Sequence, residues 1–166
     1  MEKKPKQLMA PLLGVAAILV VVAIYLMVTM PSKDVDMPTD DASPEVVVAA
    51  YIAALDAGDC ETAKALVVPS SHESTQWWCS QVASMSNATV AAPVREPAEL
   101  SGSANLQSSG ESEASREVVN VRVTFDFKRR PFAWDISLPD GPTNWGYGLQ
   151  RVSPGEPWRI FSGGHG

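Results

Sequence analysis

The sequence is short of the side chains that carry most covalent and metal chemistry. It holds two cysteines, Cys60 and Cys79, and two histidines, of which His165 falls in the tail "GGHG". Two cysteines with His72 nearby leave a tetrahedral metal site without its fourth ligand, and no C-x-x-C knuckle is present. No glycine-rich phosphate loop, HExxH helix, calcium loop or nucleophile elbow occurs. The expectation is no metal and no cofactor. Charge is missing as well: after Lys3, Lys4 and Lys6 no charged side chain appears until Lys33.

Within that gap, every residue from Leu12 to Met30 is apolar except Gly14 and Thr29. At about 1.5 Å per residue the run spans roughly 28 Å, the thickness of a hydrocarbon core. Pro11 stands at its start, where a missing N–H is tolerated. A cleaved signal peptide has a shorter apolar core and a small-x-small cleavage site. Here the run closes on the bulky "YLMVTMPSK", and no cysteine follows to take a lipid. The reading is an uncleaved anchor over residues 8–30, with the bilayer as its partner. The basic tail 1–7 stays cytoplasmic and the remainder lies outside.

With Lys3, Lys4, Lys6 and Glu2 set aside, the 13 basic and 19 acidic residues fall to 10 and 18, a net of −8 against −6 for the whole chain. Such acidity argues against nucleic acid and anionic headgroups as partners. In an oxidising compartment the even pair Cys60 and Cys79 reads as a disulfide.

Residues 31–43, "PSKDVDMPTDDAS", lack an apolar period and read as a flexible linker with a reach of about 20 Å. A domain over 44–166 follows. Ser43, Pro44 and Glu45 form a helix start, Val48, Tyr51, Ile52 and Leu55 recur at helical spacing, and Gly58 offers a left-handed stop. Asp59 can cap a second helix, "CETAKALVV", ended by Pro69, and a third runs from about Glu73 to Ser84. A Cys60–Cys79 bridge would staple the second and third helices.

The period then changes. Residues 88–96, "ATVAAPVRE", read as a strand whose Pro93 implies an edge or a bulge. The Ser- and Gly-rich stretch 100–116 reads as a weak strand or a long loop. In "EVVNVRVTFDFK" (117–128), Val119, Val121, Val123, Phe125 and Phe127 share one face. Residues 145–152 and 158–161 form two strands around the turn "SPGE". Period two puts Trp145, Tyr147 and Leu149 on one side, facing the same interior as Trp158.

Helices followed by antiparallel strands make an α+β fold. The order "AYIAALDAGD", two further short helices, a strand ending "VTFDF" and then "WGYGLQRVSPGEPWRIF" resembles the nuclear transport factor 2-like superfamily over residues 44–163. More narrowly it looks like small membrane-anchored members from the envelope of high-GC Gram-positive bacteria. The resemblance implies a cone: an N-terminal transmembrane helix, then three helices packed on a curved, mostly antiparallel sheet. It implies a pocket lined by Tyr51, Trp77, Phe125, Trp145, Tyr147 and Trp158.

The superfamily includes isomerases, dehydratases and cyclases besides binding and assembly modules, so the fold does not supply a function. Tyr51 matches the position of an oxyanion-donating tyrosine in ketosteroid isomerases, which also need a carboxylate base. "SMSNATVAAPVRE" offers no carboxylate before Glu96, and Asp126 lies on the polar face of its strand. With those roles unfilled, Tyr51 reads as core packing and no catalytic residue is assigned. His72 reads as an exposed bystander. Trp77 and Trp78 project about 100° apart, so only one can point fully inward.

The expected function is a non-enzymatic, membrane-anchored extracytoplasmic module that binds an envelope protein, a small ligand or a second copy of itself. An assembly subunit of a secretion- or conjugation-type complex and an isomerase- or dehydratase-like enzyme are the alternatives.

Overall fold

The computed structural model describes residues 18–21, 34–95, 116–131, 133 and 138–164. The chain divides into two units, Met1–Ser32 and Lys33–Gly166. In the first, Ile18 to Val21 are helical and exposed, and the rest of the expected anchor over 8–30 lies outside the described residues.

The second unit opens on three helices: α1 (Pro44–Ala57), α2 (Cys60–Ala65) and α3 (His72–Gln81), with a 3-10 turn at Pro69–Ser71. Pro44 sits in the first turn of α1, and Val47, Val48, Tyr51, Ile52, Ala54 and Leu55 give it one buried stripe. At its end Gly58 adopts φ +72°. The Gly58 N–H donates to the Leu55 carbonyl (3.2 Å) and the Asp59 N–H to the Ala54 carbonyl (2.8 Å). This paired closure uses the left-handed conformation that glycine reaches without a Cβ penalty. Asp59 then caps α2, its Oδ1 accepting from the Thr62 N–H at 3.1 Å.

Five strands follow: β1 (Val82–Val90), β2 (Val94–Arg95), β3 (Glu117–Arg129), β4 (Gly141–Arg151) and β5 (Arg159–Gly164). They form one antiparallel sheet in the order β1-β3-β4-β5, with β2 pairing β3 beyond the end of β1. The register of β3 on β4 sets Val119 opposite Leu149, Val121 opposite Tyr147, Val123 opposite Trp145 and Phe125 opposite Thr143. All eight side chains therefore point to one face, and α1 to α3 cover it. Leu66, Val67, Ile160, Trp158 and Met85 complete the core.

The edges of the sheet are covered or bent. On β1, Asp56 Oδ1 accepts the Met85 N–H at 2.7 Å. Further along, Asn87 at φ +55° makes a bulge, and its Nδ2 donates to Asp126 Oδ2 at 2.8 Å. On β5, residues 66–68 form a parallel bridge: the Val68 N–H donates to the Ile160 carbonyl (2.9 Å) and the Ile160 N–H to the Leu66 carbonyl (3.0 Å).

The expected architecture, a transmembrane helix followed by three helices on a cone-shaped sheet, is corrected on three counts. Among the described residues no helix is long and apolar enough to cross a membrane. The length of an apolar run measures its capacity to span, and residues 18–21 are the only helical part of that run described. The helices are short, because the chain leaves α3 at Gln81 and is already in β1 at Val82, inside the stretch expected to stay helical to Ser84. The covered face of the sheet is packed with side chains where a cone would leave a hollow.

Residues 34–43 also differ from a flexible linker. The Val35 N–H donates to Asp59 Oδ2 at 3.0 Å, and Val35 and Ala42 pack against the core. The expected strand at 88–96 is instead the end of β1 plus β2, with Pro93 at the break. Glu96 and residues 100–115 lie outside the described residues.

Candidate functional site

The covered face of the sheet is the place where a pocket would have to open, and four of the six expected lining residues meet there as core. Tyr51, from the middle of α1, sets its ring edge-on to Tyr147 of β4, with centroids 5.5 Å apart. Its hydroxyl shares a hydrogen bond with Thr75 Oγ1 of α3 at 3.4 Å. Phe125 is buried opposite Thr143, and Trp158 is buried in front of β5.

The other two behave differently. Trp145 is half-buried, with its ring 5.6 Å from Trp78. Trp77, expected to line the interior, is 37% exposed; its neighbour Trp78 turns inward onto Phe127 and Trp145. The signal that selects Trp78 was present in the sequence. Thr75, Trp78, Cys79 and Val82 recur at i, i+3, i+4 and i+7, and Thr75, Cys79 and Val82 are all buried.

Burial pushes the Tyr51 phenol above its ordinary pKa, partly offset by the Thr75 hydroxyl. Burial also lifts Tyr147 well above, and the Tyr51 phenol adds to it. Both rings thus stay neutral at physiological pH, able to donate a hydrogen bond but not to act as a base. Four described carboxylates are engaged elsewhere: Asp56 on the Met85 N–H, Asp126 on Asn87, Asp140 on the Arg129 N–H (3.1 Å) and Glu117 on two arginines, whereas Glu45 Oε2, in the first turn of α1, is buried without a hydrogen-bond partner. Two neutral phenols do not by themselves supply the base that proton transfer from a substrate carbon needs.

A shallow groove of about 570 Å³ lies outside this core, lined by Glu61, Lys64, Ala65, Val67 and His72. His72 begins α3 and is exposed, and Lys64 is engaged with Glu61 at 2.8 Å. Among the described residues no group of three His, Cys, Asp or Glu side chains could hold a metal ion. The disulfide is formed: Cys60 at the start of α2 is bonded to Cys79 in α3, with Cα atoms 5.8 Å apart.

Sequence reasoning missed the ionic cluster at the end of the sheet where β3 begins. Glu117 and Arg151 are register partners, with Arg151 Nε 2.7 Å from Glu117 Oε2. Arg95 of β2 reaches Glu117 Oε1 at 3.0 Å, and the Arg151 guanidinium lies 4.6 Å above the Trp158 ring. Residues 95, 117, 151 and 158 are scattered along the chain, so only strand register joins them.

No protein-family model and no curated protein sequence matches the chain. Among solved structures it is similar to a SEC-C motif-containing protein from Rhodopseudomonas palustris determined in solution. The two share 15% identity at a TM-score of 0.48, over 77% of this chain and 82% of that one. A likeness of that size identifies neither a family nor an activity.

Proposed function

We propose that the chain is an extracytoplasmic, non-enzymatic module that binds a partner protein at the cell envelope and is held at a membrane by its apolar run 12–30. The observation that carries the non-enzymatic reading is the filling of the covered sheet face. Tyr51, Tyr147, Trp145, Trp78 and Phe127 pack edge-to-face where an enzyme of this type would keep an open, carboxylate-bearing site. The Cys60–Cys79 bond supports an oxidising compartment, since structural disulfides persist there and are rare in reducing ones.

Crosslinking in intact cells tests the reading. Adducts between this chain and other envelope proteins are expected. A ladder containing several membrane proteins at fixed ratios would shift the reading toward a subunit of an assembly. Turnover of any keto-enol or hydration substrate by the purified chain, lost on Tyr51→Phe, would sink the non-enzymatic reading.

A further inference from the structure

We infer that the β3-start end of the sheet recognises an acidic segment of the partner protein, through the guanidinium groups of Arg95 and Arg151. The inference deepens the binding reading above and rests on it.

The charge distribution is the first observation. The chain beyond residue 30 carries a net of −8. Register nonetheless brings Arg95 and Arg151 together where β3 begins, and among the described residues Glu117 is the acid that both engage. Both cations are arginine, the side chain whose planar fork matches a carboxylate with two parallel hydrogen bonds.

The second observation is that the forks are held in place. Arg151 directs both Nε and Nη2 to a single oxygen, Glu117 Oε2, so the planar guanidinium turns its Nη1 edge away from Glu117. Its face is fixed by Trp158 at 4.6 Å, and its side chain is 24% exposed. Arg95 spends one nitrogen on Glu117 Oε1 and is 81% exposed. Glu117 therefore fixes the orientation of two forks while neutralising one charge, so these three described side chains together keep one positive charge. A pre-oriented guanidinium loses less side-chain entropy when it engages an anion.

The third step chooses the partner. Charges are screened beyond about 8–10 Å at physiological salt. A nucleic acid or an anionic membrane extends far past that distance and would meet the acidic remainder of the surface. A short acidic peptide segment meets only the arginine pair.

The test uses the full-length chain in a nonionic detergent and an end-blocked hexaglutamate peptide as probe. Calorimetric titration at low salt, with the arginine Nε–H signals of Arg95 and Arg151 followed by NMR, is expected to show binding and to move both signals. Arg95→Ala should weaken binding about tenfold and Arg95→Glu should abolish it, with the circular dichroism spectrum unchanged. Because Arg95 is exposed, these variants avoid the folding risk of replacing Arg151.

Three results would overturn the inference: no hexaglutamate binding at low salt, equal binding by Arg95→Glu, or Arg95-dependent binding to phosphatidylglycerol vesicles without any to the peptide. If envelope adducts still form in Arg95→Glu cells, the binding-module reading stands and the acidic-partner inference fails alone.

Discussion

Trp77 and Trp78 adjoin in sequence and have opposite surroundings, because successive helical residues point about 100° apart. The stripe of α3 that includes Thr75 and Cys79 leads inward, and Trp78 is carried with it to within 6.1 Å of the Phe127 ring. Trp78→Ala should therefore cost about 3 kcal/mol in denaturant unfolding, as expected when a large packed ring is deleted. Trp77→Ala should stay under about 1 kcal/mol. Equal losses at the two positions would contradict this placement. Asp59 is the second residue whose role is local and strong. It caps α2 through Thr62 and holds Val35, so one carboxylate joins the segment before α1 to the helix after it. Asp59→Ala should cost about 1–2 kcal/mol. Periodicity made the Tyr51 stripe and the inner face of β3 readable in advance. The Glu117 cluster was unreadable, since no local pattern encodes which strand ends lie side by side.

At the scale of elements, α2 is six residues long and too short to persist by itself, since isolated helices below about 12 residues are marginal. Its support comes from Ala63 in the core, from the Leu66–Val68 bridge to β5 and from the covalent link to α3. Breaking that link with Cys60→Ala and Cys79→Ala should remove about 3 kcal/mol, the chain-entropy value for a loop of about 20 residues. The loss should appear as a lower denaturant midpoint, equal for the reduced native chain and the double variant. A midpoint that does not move would mean packing alone holds α2 and α3 together. Strands were legible in proportion to their hydrophobic alternation. β3 alternates strictly and was found within a residue of its bounds. β1, "VASMSNATV", offers small polar residues and two buried positions, Val82 and Met85, so nothing local announces a strand there. Pairing with β3 and the Asp56 contact at Met85 decide it. β4 starts four residues before Trp145, where the expected strand began, and the difference includes Pro142. β5 pairs β4 only from Gly146 onward, so Pro142 occupies a stretch with an open edge, where a missing N–H is tolerated.

For the whole molecule, the titrating groups whose shifts are resolved predict a stability plateau with a limb at each end. On the acid side, the Val35 N–H is the largest cause that lowers the Asp59 pKa; burial opposes it and the Thr62 contacts reinforce it. A depressed carboxylate contributes stability that is present above its unfolded value of about 4, and that contribution is lost as pH falls below it. On the alkaline side the sign is reversed in origin but again destabilising. Tyr51 and Tyr147 are raised by burial, so the native state holds their protons more tightly than the unfolded chain does. Their contribution is complete below the unfolded tyrosine value of about 10 and is lost as pH rises above it. Melting temperature should therefore be flat across neutral pH, fall below about pH 4 and fall again above about pH 10. The alkaline limb belongs to the pair, because the Tyr51 phenol is one of the causes that raises Tyr147. Tyr51→Phe deletes one phenol and lowers the other's pKa, so it should flatten the alkaline limb by more than one proton's share while leaving the acid limb untouched. A limb flattened in Tyr51→Phe by no more than one proton's share would mean the two phenols do not interact. The edge-to-face contact at 5.5 Å would then be packing without electrostatic coupling.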